Sequence, residues 1–161
     1  MTTASHPAQH HHVMGLTLHN TAIGIGAVFL LVGVLGFIPG ITTNYVAMTI
    51  AGPESAALLL GVFQVSVLHN IVHLLFGVAG IVMARTDRMA RVFLVGGGAV
   101  YLLLWIYGLV VDMSTSANFV PFNSADNWLH LILGVAMIGL GLWLGKDAVE
   151  TSAATKKEST A

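Results

Sequence analysis

Residues 68–81 read "LHNIVHLLFGVAGI", and fifty-seven positions later residues 125–138 read "ADNWLHLILGVAMI". Of the twelve positions from Asn70 to Ile81, seven recur between Asn127 and Ile138. Apolar identities come cheaply in such segments; the matched Asn70 and Asn127, His73 and His130, Gly77 and Gly134 do not. In each set the His follows the Asn by three residues and the Gly lies one turn further, so all three share a helical face. A helix crossing a bilayer takes about 20 apolar residues. The motif therefore opens two spanning helices of the same kind, and the fold follows from locating their companions.

Composition supplies them. The chain has 161 residues, 56% hydrophobic and only 8% charged, against about 25% charged in a soluble domain. It reads as an all-α, integral membrane four-helix bundle. The spanning domain is 16–145, with segments at 16–38 (stopped by Pro39-Gly40), 67–84, 92–111 and 127–144. Residues 1–15 form a polar tail carrying His10, His11 and His12, and 146–161 a second polar tail expected to be disordered. With a net charge of −1 and no long charged run, nucleic acid is excluded as a partner. The partner is the lipid bilayer, joined by a membrane-protein partner or a second copy. There is no cysteine, which removes disulfides, thiolate metal sites and cysteine nucleophiles.

Charge asymmetry orients the chain. Arg85, Arg88 and Arg91 crowd one short connection, and Lys146, Lys156 and Lys157 follow the last segment. The other two connections contain no Lys or Arg. By the positive-inside rule the Arg connection and both termini are cytoplasmic, in a multi-pass protein of the cytoplasmic membrane. The result is two helix hairpins of the same orientation, related by a pseudo-twofold along the membrane normal. Segments one and three show no convincing alignment, so the repeat is carried by segments two and four, which are expected to be neighbours.

The first outer loop contains "GPESAALLLGVFQ", with Pro53 and Glu54 where a helix could begin. Its apolar part is too short to span, and it reads as a short interfacial helix. Ser66 is placed to cap the second segment, and Asn123 or Ser124 the fourth. His19 is expected to act as a cap or interfacial residue at the opposite end. Trp128 and Trp143 suit the two membrane interfaces.

Polar side chains are costly in lipid and must face partners, so an intramembrane ionisable residue is a functional hypothesis. The candidate cluster is His69, Asn70, His73, Asp126, Asn127 and His130, near the outer ends of segments two and four. Gly77 and Gly134 would let a neighbouring backbone approach and turn the histidines inward. Three chemistries suit this set. In the first the Asn and His residues tie segments two and four together, as in a non-enzymatic scaffold or accessory subunit with no cofactor. In the second His69, His73, Asp126 and His130 ligate or transport a metal ion. In the third His73 and His130 hold haem b, or a quinone-linked redox subunit results, although no Arg or Lys lies near to meet haem propionates. No Ser-His-Asp or paired-carboxylate arrangement supports hydrolysis.

"PGIT" at 39–42, "LLGVFQVSVLHNIVHLLFG" at 59–77 and "ADNWLHLILG" at 125–134 resemble a bacterial family of small membrane proteins, the domain of unknown function 4383. The resemblance covers about 15–145, and the two His motifs are its most specific parts. The family pattern has Asn where this chain has Ser66; both residues cap helices. The resemblance implies a four-helix membrane protein and brings no established activity, substrate or cofactor.

Overall fold

Four helices account for the four apolar segments: α1 (Leu18–Leu35), α2 (Val67–Met83), α3 (Asp87–Val110) and α4 (Ser124–Glu158). They come from a computed structural model that describes residues 17–158, and side chains as far as Lys146. The N-terminal tail with His10 to His12 lies outside the described residues. Three of the helices are long and apolar enough to cross a membrane, and α2 is an apolar helix of 17 residues. At about 1.5 Å per residue α2 still extends roughly 26 Å.

Side-chain caps fix where the helices begin. Thr17 accepts from the Asn20 amide, Ser66 from His69 and Thr86 from Met89. Thr86 starts α3 at Asp87 instead of the expected 92, because nothing between Asp87 and Val92 breaks a helix and Asp87 complements the N-terminal dipole. α4 begins one turn earlier than expected and runs on to Glu158, so the disordered tail expected over 146–161 is largely helical. After Gly145 the chain holds no Pro or Gly and is rich in Ala, Lys and Glu, all good helix formers.

The interfacial helix expected in the first long loop is absent. Its place is taken by a three-stranded antiparallel sheet of two-residue strands, β1 (Thr42–Thr43), β2 (Leu58–Leu59) and β3 (Phe63–Gln64), in the order β1-β2-β3. A 3-10 turn at Tyr45–Ala47 precedes β2. Gly52, at φ 91°, leads into a single turn closed by the Ser55 amide on the Gly52 carbonyl at 3.4 Å, and no helix follows Pro53. Leu60 at φ 54° and Gly61 at φ 72° then reverse the chain between β2 and β3. That left-handed geometry suits Gly and strains Leu. This cap encloses its own small core of Ala57, Leu59 and Val65.

The closest packing is within the pairs α1–α2 and α3–α4. α1 also meets α3, α2 meets α3 and α1 meets α4, whereas α2 and α4 stand on the long diagonal with no extended contact. The expectation that α2 and α4 are neighbours is therefore wrong. Glycines explain the pairing. A Cβ on Gly77 would come within 2.7 Å of the Gly26 carbonyl, and one on Gly98 within 2.8 Å of the Gly134 carbonyl. Only a missing side chain permits such an approach.

These contacts expose a register that the sequence comparison overlooked. "GIGAVFLLVGVLG" at 24–36 matches "GGGAVYLLLWIYG" at 96–108 in seven of thirteen positions, at an offset of seventy-two. Gly26, Leu30 and Gly36 meet α2 as Gly98, Leu102 and Gly108 meet α4. Both halves of the repeat are thus present. Between them run Phe29, Phe93, Leu94, Tyr101 and Met137 of the main core. Outward-facing side chains such as Val28, Leu75, Leu103 and Ile132 are more than half exposed, as a lipid-facing surface requires.

Candidate functional site

Each Asn of the motif fits a notch in the helix beside it. The Cβ that Gly36 lacks would fall on the Asn70 side-chain amide, and that of Gly108 on the Asn127 amide. Both Asn side chains are buried, and neither Oδ1 has a conventional donor among the described residues. The glycine hydrogen standing where the Cβ would be points at that oxygen. A Cα–H···O contact is weak, about 0.5–1 kcal/mol, but it recurs at both repeat-related places. Asn70 Nδ2 also approaches Met48 Sδ at 3.9 Å. The Asn residues therefore join α1 to α2 and α3 to α4, and do not tie α2 to α4.

His73 and His130 lie a turn deeper than the Asn residues, and His69 sits beside Asn70 in the first turn of α2. His69 is buried and donates Nδ1–H to the Pro121 carbonyl at 3.0 Å, because a carbonyl can only accept. His73, half-buried, makes the same bond to the His69 carbonyl at 3.1 Å, and the two rings stack with centroids 4.5 Å apart. His130 is buried, and its Nδ1 has no partner among the described residues. His73 rests on Phe29 at 5.7 Å and His130 on Tyr101 at 5.3 Å, while Phe29 and Tyr101 stack at 5.4 Å. Phe29 and Tyr101 are repeat mates, as are His73 and His130, so the stack sits where the two halves of the repeat meet. Sequence reading missed this aromatic pair because Phe and Tyr in a spanning helix look like any other core residue. The seventy-two-residue register was the signal that would have found it.

Asp126 serves the backbone. Its Oδ2 accepts from the Asn123 amide and from the Gln64 amide of β3, both at 2.9 Å. Asn123 Oδ1 accepts in return from Ala125 and Asp126, a reciprocal cap at the start of α4. Asn123 Nδ2 donates to the Val62 carbonyl at 2.7 Å, and the Gly52 amide to the Phe119 carbonyl at 2.8 Å. Together with His69 and Pro121 these bonds latch the two loops of this end into one lid over the histidines. Buried Asn118 holds the second loop by bonds to Met113 and Phe122, a role hidden in the sequence because any loop Asn looks alike. At the opposite end His19 Nδ1 donates to the Ala84 carbonyl at 2.7 Å. It caps the last turn of α2 from α1.

The six candidate residues thus share one end of the bundle, where His69 and His73 stack on each other. No group of three or more His, Cys, Asp or Glu that could hold a metal ion occurs among the described residues. His69, His73, Asp126 and His130 are therefore not gathered into such a group, and Asp126 and His69 are engaged with the backbone. Each of the two deep imidazoles, His73 and His130, packs on an aromatic ring, and those rings, Phe29 and Tyr101, stack on each other.

The fold and its doubled Asn/His/Gly motif define a small multi-pass membrane protein, a four-helix bundle with an interlocked polar end. The chain belongs to the family described as Domain of unknown function (DUF4383), whose model matches residues 19–143. That match takes in all of α1 to α3 except the single residue Leu18, and the membrane part of α4. No curated protein and no solved structure matches the chain.

Proposed function

We propose that this protein is a non-enzymatic membrane scaffold or accessory subunit, whose polar motif serves its own architecture. One observation carries the reading. Asp126 and His69 direct their polar groups at neighbouring backbone, and Asn70 and Asn127 seat their amides against a glycine of the preceding helix at repeat-related positions. A substrate or ligand site would keep such groups for the ligand. The exposed apolar faces of all four helices are left for lipid or for another membrane protein.

Elemental analysis and a visible spectrum of purified protein lacking residues 1–15 test this reading. Removal of that tail prevents His10 to His12 from binding metal adventitiously. The expected result is a colourless protein without stoichiometric metal. A metal or haem present at one per chain, and lost on replacing His73 or His130 by Ala, would replace the scaffold with a redox or metal-binding role.

We also propose that the lid faces outward and both termini are cytoplasmic, as two same-orientation hairpins about a pseudo-twofold along the membrane normal. The support is that no Lys or Arg lies in either lid loop. Reporter fusions at Gly52 and Arg88 should fall on opposite sides, Gly52 outside. The same side for both would sink the topology.

A further inference from the structure

The end of the bundle opposite the lid carries a group of cations that the scaffold reading leaves unused. Arg85, Arg88, Arg91 and Lys146 are all exposed there. Arg88 and Arg91 stand three apart on one face of the first turns of α3, where the helix dipole is positive. Arg91 does not hang free. A Cβ on Gly145 would lie 2.8 Å from Arg91 Nε and 2.9 Å from its Cδ, so the arginine stem crosses the α4 backbone next to Lys146. The Ala84 carbonyl, which a nearby arginine could cap, is already taken by His19. The set stays net positive even with Asp87 and Asp147 beside it in the sequence.

We propose that Arg88, Arg91 and Lys146 form a site for the phosphate of an anionic phospholipid headgroup, with Arg85 at its edge. Phosphate chemistry suits the guanidinium fork and a helix N-terminus alike. The apolar border identifies the source of that phosphate as lipid. Met89 and Val92 on α3 and Leu142 and Trp143 on α4 are exposed within a turn of the cations, and Trp143 is 60% exposed. Acyl chains would lie along these residues while the headgroup meets the cations. A free anion would have no use for that border.

The test is native mass spectrometry of the full chain released from mixed phosphatidylglycerol and phosphatidylcholine nanodiscs. Wild type should retain phosphatidylglycerol in preference to phosphatidylcholine. The Arg88→Gln, Arg91→Gln double variant should lose about tenfold of that preference, and the Arg88→Lys, Arg91→Lys variant should keep part of it. Thermal midpoints in phosphatidylcholine alone show that the variants fold. Equal retention of the two lipids by wild type would overturn the proposal, as would an unchanged preference in the Gln variant. Displacement of the lipid by inorganic phosphate alone would assign the site to a free anion and overturn the lipid assignment.

Discussion

Gly77→Leu should cost the purified protein far more thermal stability than Gly24→Leu, although both place the same side chain in the middle of an apolar helix. At Gly77 the first added carbon already meets the Gly26 carbonyl and the Leu30 amide at 2.7 Å. Those are backbone atoms of α1, which cannot rotate away, so the α1–α2 pair must separate. Overpacking of this kind costs about 1–3 kcal/mol and at times more, and Gly77 belongs at the upper end. At Gly24 nothing lies within 4 Å. Leu there points into lipid and gains about 0.8 kcal/mol of helix propensity over Gly. Midpoints in a mild detergent read the difference. Gly96, the repeat mate of Gly24, also faces open space and should tolerate Leu equally. Similar losses at Gly77 and Gly24 would mean that the close α1–α2 approach is not what holds the pair.

That contrast also shows where the sequence was legible. Four apolar segments, the first stopped by Pro39-Gly40 and the second and fourth opened by Ser66 and Asn123, are readable because lipid demands length and caps have a residue signature; the Thr86 cap of α3 was missed. Gly77 and Gly134 were recognisable as packing glycines because they keep step with Asn and His. Their contacts were not. The motif occurs in α2 and α4, so those helices looked like partners, yet each Asn has its glycine in the preceding helix. That glycine was hidden by loop length: Gly36 and Asn70 are 34 residues apart, Gly108 and Asn127 only 19. A single offset therefore cannot align both halves of the repeat. The residues that make the first connection longer are those of the sheet. They were misread as a helix because their apolar run outweighed the reversal at Leu60-Gly61.

Asp126 shows a different limit. A carboxylate four residues before a histidine at the mouth of a helix is a fair metal ligand on paper. The competing use, a reciprocal cap with Asn123, is visible in the Asn-x-x-Asp spacing. The bond to Gln64, sixty-two residues away, is tertiary and has no local signal. His69 behaves alike, since the carbonyl that engages it belongs to a loop fifty-two residues on.

The repeated Asn fits a glycine notch in its own helix pair. A double-mutant cycle on Gly36 and Asn70 tests that fit directly. Gly36→Ala drives a methyl into the Asn70 amide and should cost about 1–3 kcal/mol. Asn70→Ala removes a buried side chain, leaves a void and strips the notch of its occupant, at about 2–3 kcal/mol. In the double variant the new methyl enters the space that the amide vacated. The loss should therefore fall short of the sum of the two by about 1–2 kcal/mol, and the same cycle at Gly108 and Asn127 should give the same sign. Additive losses at both positions would contradict the account, because they would show that the Asn and the Gly do not meet.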